Sequence, residues 1–296
     1  MSTDHQALIV GGGAAGLSAA LVLGRAQVDT LLVDAGDQSN LAAATIGGLL
    51  GQPGTAPGSL YAAGREQLAE LPSVTLADDT VTDLGEGFAA TLASGPTVTA
   101  SRLLLATGMH YDRPDVPGIE RFWGGDAFHC PYCHGWEHRG GHLAVLGGQG
   151  ASHRALLLRE WSDDVVVLAD DVTEEDRATL TGAGVPIDDR PVAALEGEGD
   201  RLTAVRFTDG EALERDGVLV FAPVRPRDEF GPRLGCETME TPNASGVLVT
   251  DARHRTTVEG VFAAGDASAT MQQVALAIAG GSMAAASVHQ SLVFGL

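Results

Sequence analysis

The chain has 296 residues, enough for two ordinary domains, and its 44% apolar content, 39 glycines and few aromatics fit a compact α/β protein and exclude a disordered one. Its formal net charge is −21 and all eighteen basic residues are arginines, so no basic stripe offers itself to nucleic acid or anionic lipid and neither is an expected partner. Three cysteines in this length exclude a disulfide framework, which points a close pair toward redox chemistry or metal binding.

From the N-terminus, "ALIVGGGAAGLSAALVLGRAQVDTLLVDAG" reads as one βαβ unit. A short apolar strand enters a glycine-rich turn, a helix of small apolar residues follows, and a second strand ends in Asp34. The charge-free run from Ala7 to Gly24 lacks a basic leader, which sets aside a signal peptide and favours the cytoplasm. Gly11, Gly13 and Gly16 form GxGxxG at the mouth of the helix. The first permits the tight turn, the second lets backbone N–H groups approach a pyrophosphate, and the third lets helix pack on strand. Asp34 stands where a carboxylate can accept from a ribose hydroxyl, which makes the motif far more specific than GxGxxG alone.

Next come "LLLATG", Leu103 to Gly108, and "DRPDVPGIE", whose prolines and glycine mark a linker. The segment "FHCPYCHGWEH" then gathers two cysteines and three histidines. Cys130 and Cys133 have the spacing of a small reversible disulfide, and one thiol at a helix N-terminus beside histidines would be the nucleophile. Cys130, Cys133, His138 and His142 also read as Cys2His2 metal ligands, although a tight loop between strands and the lack of another nearby cysteine weigh against zinc.

"GHLAVLGGQGASHRALLLREWSDDVVVLADD", Gly141 to Asp171, repeats the βαβ grammar with Gln149 in place of the second fingerprint glycine and Asp170 and Asp171 after the strand. A side chain at Gln149 obstructs a pyrophosphate, and two carboxylates repel a 2′-phosphate. NADPH is therefore not expected, NADH retains one acceptor, and a domain binding neither is the favoured reading. "APVRPRDEFGP" punctuates again before "GVLVTDARHRTTVEGVFAAGDAS" returns to strands and turns. The charge-free stretch from Val274 suits a buried helix. The expected fold is α/β, with two Rossmann-like three-layer dinucleotide-binding domains, the second inserted into the first. Residues 1–112 and 242–296 form the parent domain, and residues 113–241 form the insert carrying the CxxC.

The GxGxxG, "LLLATG" and "VFAAGD" motifs, with a CxxC ahead of the second βαβ unit, resemble the low-molecular-weight thioredoxin reductases, a group of two-dinucleotide-binding-domain flavoproteins. The resemblance covers nearly the whole chain. It implies FAD held by Gly11, Gly13, Ala14, Ala15, Gly16, Asp34, Asn40, Val81, Thr107, Gly108, Gly265, Asp266, Gln273 and Val274. In that group the aspartate equivalent to Asp266 holds the ribityl chain, and the next helix points its N-terminus at the flavin, with Gln273, Val274 and Ala275 beside the ring. Cys133 would face the flavin, Cys130 would exchange with substrate, and the protein would be a homodimer.

Two departures matter. The aspartate that follows the CxxC in thioredoxin reductases is His134 here, with His129 just before the pair; histidines can take protons from incoming thiols. The second is the altered fingerprint of the insert. A flavin and a CxxC without a nicotinamide donor take electrons from the thiol side, and "HCPYCHG" resembles the flavin-dependent dithiol oxidases that close disulfides in gliotoxin, holomycin and romidepsin. That resemblance implies a small-molecule dithiol as substrate, O2 as acceptor, H2O2 as product, Cys130, Cys133, His129 and His134 as catalytic residues, and no metal. The alternative is a thioredoxin reductase-type disulfide reductase using NADH or another donor. The chain also departs from this subgroup in "DAGDQSN", Asp34 to Asn40, where basic residues are common, and near Gly47, where a histidine is expected. Cys236 reads as a quiet small side chain.

Overall fold

The computed structural model describes residues 4–295. It divides into two compact units, the first formed by residues 1–41, 48–111 and 223–296 and the second by residues 42–47 and 112–222.

In the first unit, strands Val261–Ala263, Ala100–Leu105, His5–Val10, Thr30–Asp34 and Val74–Asp78 lie side by side in that order, all parallel. Thr30–Asp34 is buried throughout, as its unbroken apolar run requires of a strand covered on both faces. On one face the helices Ala14–Arg25 and Val274–Phe294 pack with Ile9, Leu32, Leu104 and Phe262 into a single core. The opposite face buries Leu8, Val10, Val33 and Leu105 with Val81 of the small antiparallel sheet Val81–Leu84, Ala90–Leu92 and Thr97–Val98. A mixed sheet of Thr238–Thr241, Ala244–Leu248, Val224–Pro226 and Met109–Tyr111 completes the unit.

The second unit repeats the plan with parallel strands Ile187–Asp188, Val165–Leu168, Leu143–Leu146, Gly217–Val220 and Ala127–Phe128, plus an antiparallel sheet of Val192–Glu198, Arg201–Phe207 and Ala212–Glu214. Phe128, Val145, Leu158, Val167 and Leu219 lie in its core.

The α/β class and the two parallel-sheet units are as expected, but the joints differ in position. The return joint lies between Ala222 and Pro223 rather than at Thr241, because Val224–Pro226 pairs with Met109–Tyr111 and Ala244–Leu248 in the first unit. Residues 42–47, read as part of the parent domain, belong to the second unit. The helix Val274–Phe294 is buried on one face only: Ala277, Gly281, Ala284 and Val288 point inward, while Leu276, Met283, Val293 and Phe294 are exposed. No helix among the described residues is long and apolar enough to cross a membrane.

Candidate active site

The dinucleotide cradle of the first unit is built on close backbone approach. Gly11 has φ +105°, where an L side chain is strained, and a Cβ there would also strike the Ala106 carbonyl. A Cβ on Gly16 would strike the Gly11 carbonyl, so the helix seats directly on the turn. Gly13 is different: the nearest atom to a Cβ there is Gln38 Cγ at 3.7 Å, leaving open space above the helix start. Leu17 N–H bonds back to Gly13 O at 2.9 Å, and the earlier amides at Ala14, Ala15 and Gly16 belong to the first turn, which has no intrahelical acceptors. An open approach beside unspent amides suits a pyrophosphate.

Asp34 is buried and oriented from three sides. Gly36 N–H and Gln38 Nε2 donate to Oδ1 at 2.9 and 3.0 Å, and Arg65 Nη1 donates to Oδ2 at 2.7 Å. Arg65 also bridges to Asp78. Asn40 accepts from the Tyr61 hydroxyl at 2.7 Å, and burial pushes that phenol up to about 12. Val81 is buried at the start of its strand, while Thr107 and Gly108 follow Ala100–Leu105, Gly108 with φ +73° and no atom within 4 Å of a Cβ position. Gly265, at φ +72°, leaves room for Ala15, whose Cβ would lie 2.8 Å from a side chain there. Asp266 follows it. Burial raises the Asp266 carboxyl to about 6 against the opposing pull of Arg227. Gln273 and Val274 begin the C-terminal helix, and no side chain caps it.

These residues fit a flavin dinucleotide on two observations: the open cradle at Gly13, and the half-buried Asp266 carboxyl, set just after the Gly265 turn that packs on Ala15. Sequence reasoning missed Arg227, which donates to Asp37 Oδ2 at 2.7 Å, Ser39 Oγ at 3.0 Å and the Met109 carbonyl at 3.2 Å. Together with Arg65 it brings positive charge to the basic-poor segment "DAGDQSN" from distant parts of the chain.

In the second unit, Cys130 and Cys133 form a disulfide with Cα atoms 5.3 Å apart, and Cys130 caps the one-turn helix Pro131–His134. Gly135 N–H closes that turn onto the Pro131 carbonyl at 2.7 Å, and a Cβ on Gly135 would lie 2.7 Å from the Trp161 ring. The strap of residues 42–47 runs against the turn: a Cβ on Gly47 would lie 2.7 Å from the Cys133 carbonyl. A histidine at Gly47 itself would meet that carbonyl, whereas Gly48 beside it is open.

His129 stacks on Trp123 with centroids 5.6 Å apart, and burial, aided by His134 nearby, lowers it to about 4. That makes it a weaker base than an ordinary histidine. His134 stacks on Phe128, and its Nε2 lies 3.2 Å from the Gly124 carbonyl. Burial also lowers His134, but carbonyls of Gly124 and Cys130 and the Glu137 carboxylate act in the opposite sense. Its Nδ1 is buried with no hydrogen-bond partner. Of the other histidines weighed as metal ligands, His138 stacks on Phe128 and His142 bonds Asp164 at 2.6 Å. Among the described residues no three side chains are grouped as metal ligands. Cys236 is buried and its thiol is raised by burial, as a quiet side chain should be.

The second glycine turn is closed on itself. Gly148 N–H donates to Asp171 Oδ1 at 2.9 Å, and Arg154 donates to the carbonyls of Gly147, at 2.7 Å, and Gln149. The Arg154 guanidinium lies over the Phe221 ring at 5.2 Å, and burial lowers it to about 10.

The pyridine nucleotide-disulphide oxidoreductase family model matches residues 5–281. Thioredoxin reductase tcpT of Claviceps purpurea is 33% identical, covering 96% of this chain and 94% of its own length. Two solved structures superpose with TM-scores of 0.91 at 36% identity: an oxidoreductase from Agrobacterium tumefaciens, covering 100% of both chains, and HlmI, covering 98% of this chain and 92% of its own. Matched over nearly its full length and carrying a disulfide in the insert, this chain belongs to the pyridine nucleotide-disulphide oxidoreductase family, as a thioredoxin reductase-like, flavin-dependent thiol–disulfide oxidoreductase.

Proposed function

We propose that the protein is an FAD-dependent dithiol oxidase that forms a disulfide in a small-molecule dithiol, with O2 as electron acceptor and H2O2 as product. The observation that carries the oxidative direction is the closed glycine turn of the second unit. Arg154 binds the carbonyls of Gly147 and Gln149, and the Gln149 side chain stands at the second fingerprint position, where a nicotinamide dinucleotide would need an open cradle for its pyrophosphate.

The chemistry then follows from the chain's own groups. A substrate thiolate attacks Cys130 Sγ, the Cys130–Cys133 bond breaks, and Cys133 leaves as a thiolate. The substrate's second thiol loses its proton and attacks the substrate sulfur of the mixed disulfide. This closes the product disulfide and releases the Cys130 thiolate. Each turnover thus moves two electrons onto the cysteine pair and sets free two protons. His134 is the better placed base, because the Gly124 carbonyl at Nε2 and the Glu137 carboxylate partly offset the lowering by burial, whereas His129 is held neutral. The chemistry that bound FAD would supply is acceptance of the cysteines' electron pair and its transfer to oxygen. Gly11, Gly13, Ala14, Ala15 and Gly16 would hold its pyrophosphate, Asp34 its ribose, and Asp266 its ribityl hydroxyls. The protein works in the cytoplasm as a homodimer, the pairing of two copies being supported by the uncharged exposed face of the C-terminal helix.

The test is anaerobic visible spectroscopy of the yellow protein titrated separately with NADPH, NADH and a small dithiol. Bleaching by dithiol alone, reversed by air with peroxide formed, is the expected result. Bleaching by a nicotinamide would instead identify a disulfide reductase of the thioredoxin reductase type. That second reading is favoured by Gly147, which keeps the first glycine of the second fingerprint although Gln149 and Ser152 replace the other two.

A further inference from the structure

Oxidation of a dithiol through Cys130 and Cys133 sets free two protons next to the half-buried cysteine turn, and the second unit contains a route for them. His134 has one ring nitrogen buried without a partner, yet the same side chain lines an open cavity of about 730 Å³. His138, four residues on, lines it too. Its ring lies against Phe128 at 5.0 Å and nearly parallel, and the missing side chain of Gly217 makes room for it, since a Cβ there would lie 3.2 Å from His138 Cγ. His138 Nε2 faces the Gly125 carbonyl at 3.4 Å and Asp126 Oδ1 at 3.7 Å. Asp126 is itself fixed, accepting Leu202 N–H at 2.7 Å.

The remaining wall is charged. Glu137 and Arg139 come from the CxxC segment, Glu198, Asp200 and Arg201 from the Glu198–Arg201 hairpin, and Asp216 from the approach to Gly217–Val220. Carboxylates outnumber arginines, so the cavity attracts protons and repels thiolates. It is therefore suited to proton exchange and poorly suited to holding the anionic substrate.

We propose that His138, backed by Asp126, is a positioning residue that passes protons between His134 and the solvent of this cavity. A proton taken from a substrate thiol resides on the His134 imidazole, moves by way of cavity water to His138, and leaves across the carboxylate wall. His134 then returns to its neutral form for the second thiol, and no electron moves in these steps. The inference rests on the dithiol reading of the site.

The experiment is stopped-flow bleaching of the flavin by dithiothreitol, without oxygen, in wild type, His138→Phe and His138→Gln. Phe keeps the ring stack but cannot carry a proton, and Gln keeps a hydrogen-bonding group. Both variants should bind flavin normally and bleach about tenfold more slowly, the modest end of general acid–base effects. Their rates should rise with added imidazole, which enters through the open cavity, while the wild-type rate does not. Slowing without imidazole rescue would make His138 a structural residue and overturn the proposal, as would wild-type rates in both variants. A wild-type protein that dithiothreitol fails to bleach would overturn the dithiol reading itself.

Discussion

At the scale of single residues, the site is defined by where a carboxylate or a hydrogen atom stands without alternatives. Asp266 is raised from 3.8 to about 6 by burial, so in the flavin-free protein its charge opposes folding. The sign follows from linkage: the folded state binds the proton more tightly, so this group's contribution is most favourable below pH 4 and is lost as pH rises through 6. Asp266→Asn should therefore stabilise flavin-free protein at pH 7.5 by up to about 3 kcal/mol, with the gain vanishing near pH 3.5; melts across pH measure it. The same variant should weaken flavin retention. Gly47→Ala places a Cβ 2.7 Å from the Cys133 carbonyl and should cost about 1–3 kcal/mol. Gly48→Ala, with nothing within 4 Å, should cost almost nothing, and paired melting curves compare them. Both histidines beside the disulfide are lowered by burial. Dithiol-driven bleaching should accordingly hold its rate down to pH 6.5, and His134→Asn should remove the acid limb below it. The glycine roles at Gly11 and Gly16 were legible in the sequence because a fingerprint encodes backbone geometry. The clamp of Arg227 on Asp37 and Ser39 was not, because no local pattern announces a pairing across so much chain.

At the scale of elements, the two central helices of the first unit meet where small residues allow it. A Cβ on Gly281 would strike the Ala15 carbonyl, and Ser18 Oγ donates to the Ile278 carbonyl at 2.8 Å. Gly281→Val should lower stability by about 1–3 kcal/mol despite the better helix propensity of valine over glycine, and loosen the flavin cradle at Ala15 with it. The outer face of the same helix carries Leu276, Ala279, Met283, Ala286 and Val293 at heptad-like spacing. If that face joins two copies, Met283→Asp should convert a dimer to a monomer in size-exclusion chromatography with light scattering; an unchanged mass would place the interface elsewhere. Its strong apolar run revealed a helix in the sequence but concealed that only one face is covered. A run without charges carries no period from which sidedness can be read.

At the scale of the whole molecule, two parallel sheets and their helices could be read in order from alternating strand, turn and helix signals. The joints could not, because Val224–Pro226 is too short to carry its own pattern and is fixed by its neighbours. The strap 42–47 escaped for the same reason. Its presence gives the chain four crossings between units: at Leu41–Ala42, Gly47–Gly48, Tyr111–Asp112 and Ala222–Pro223. A catalytic module cut from this protein at the obvious linkers, and transplanted into a relative, would arrive without the six residues that cover its cysteine turn. Grafting substrate preference between members of this family thus means moving two separate stretches of gene, and natural recombination at a single pair of breakpoints would tend to yield chimaeras with an ill-fitting strap beside the cysteine turn.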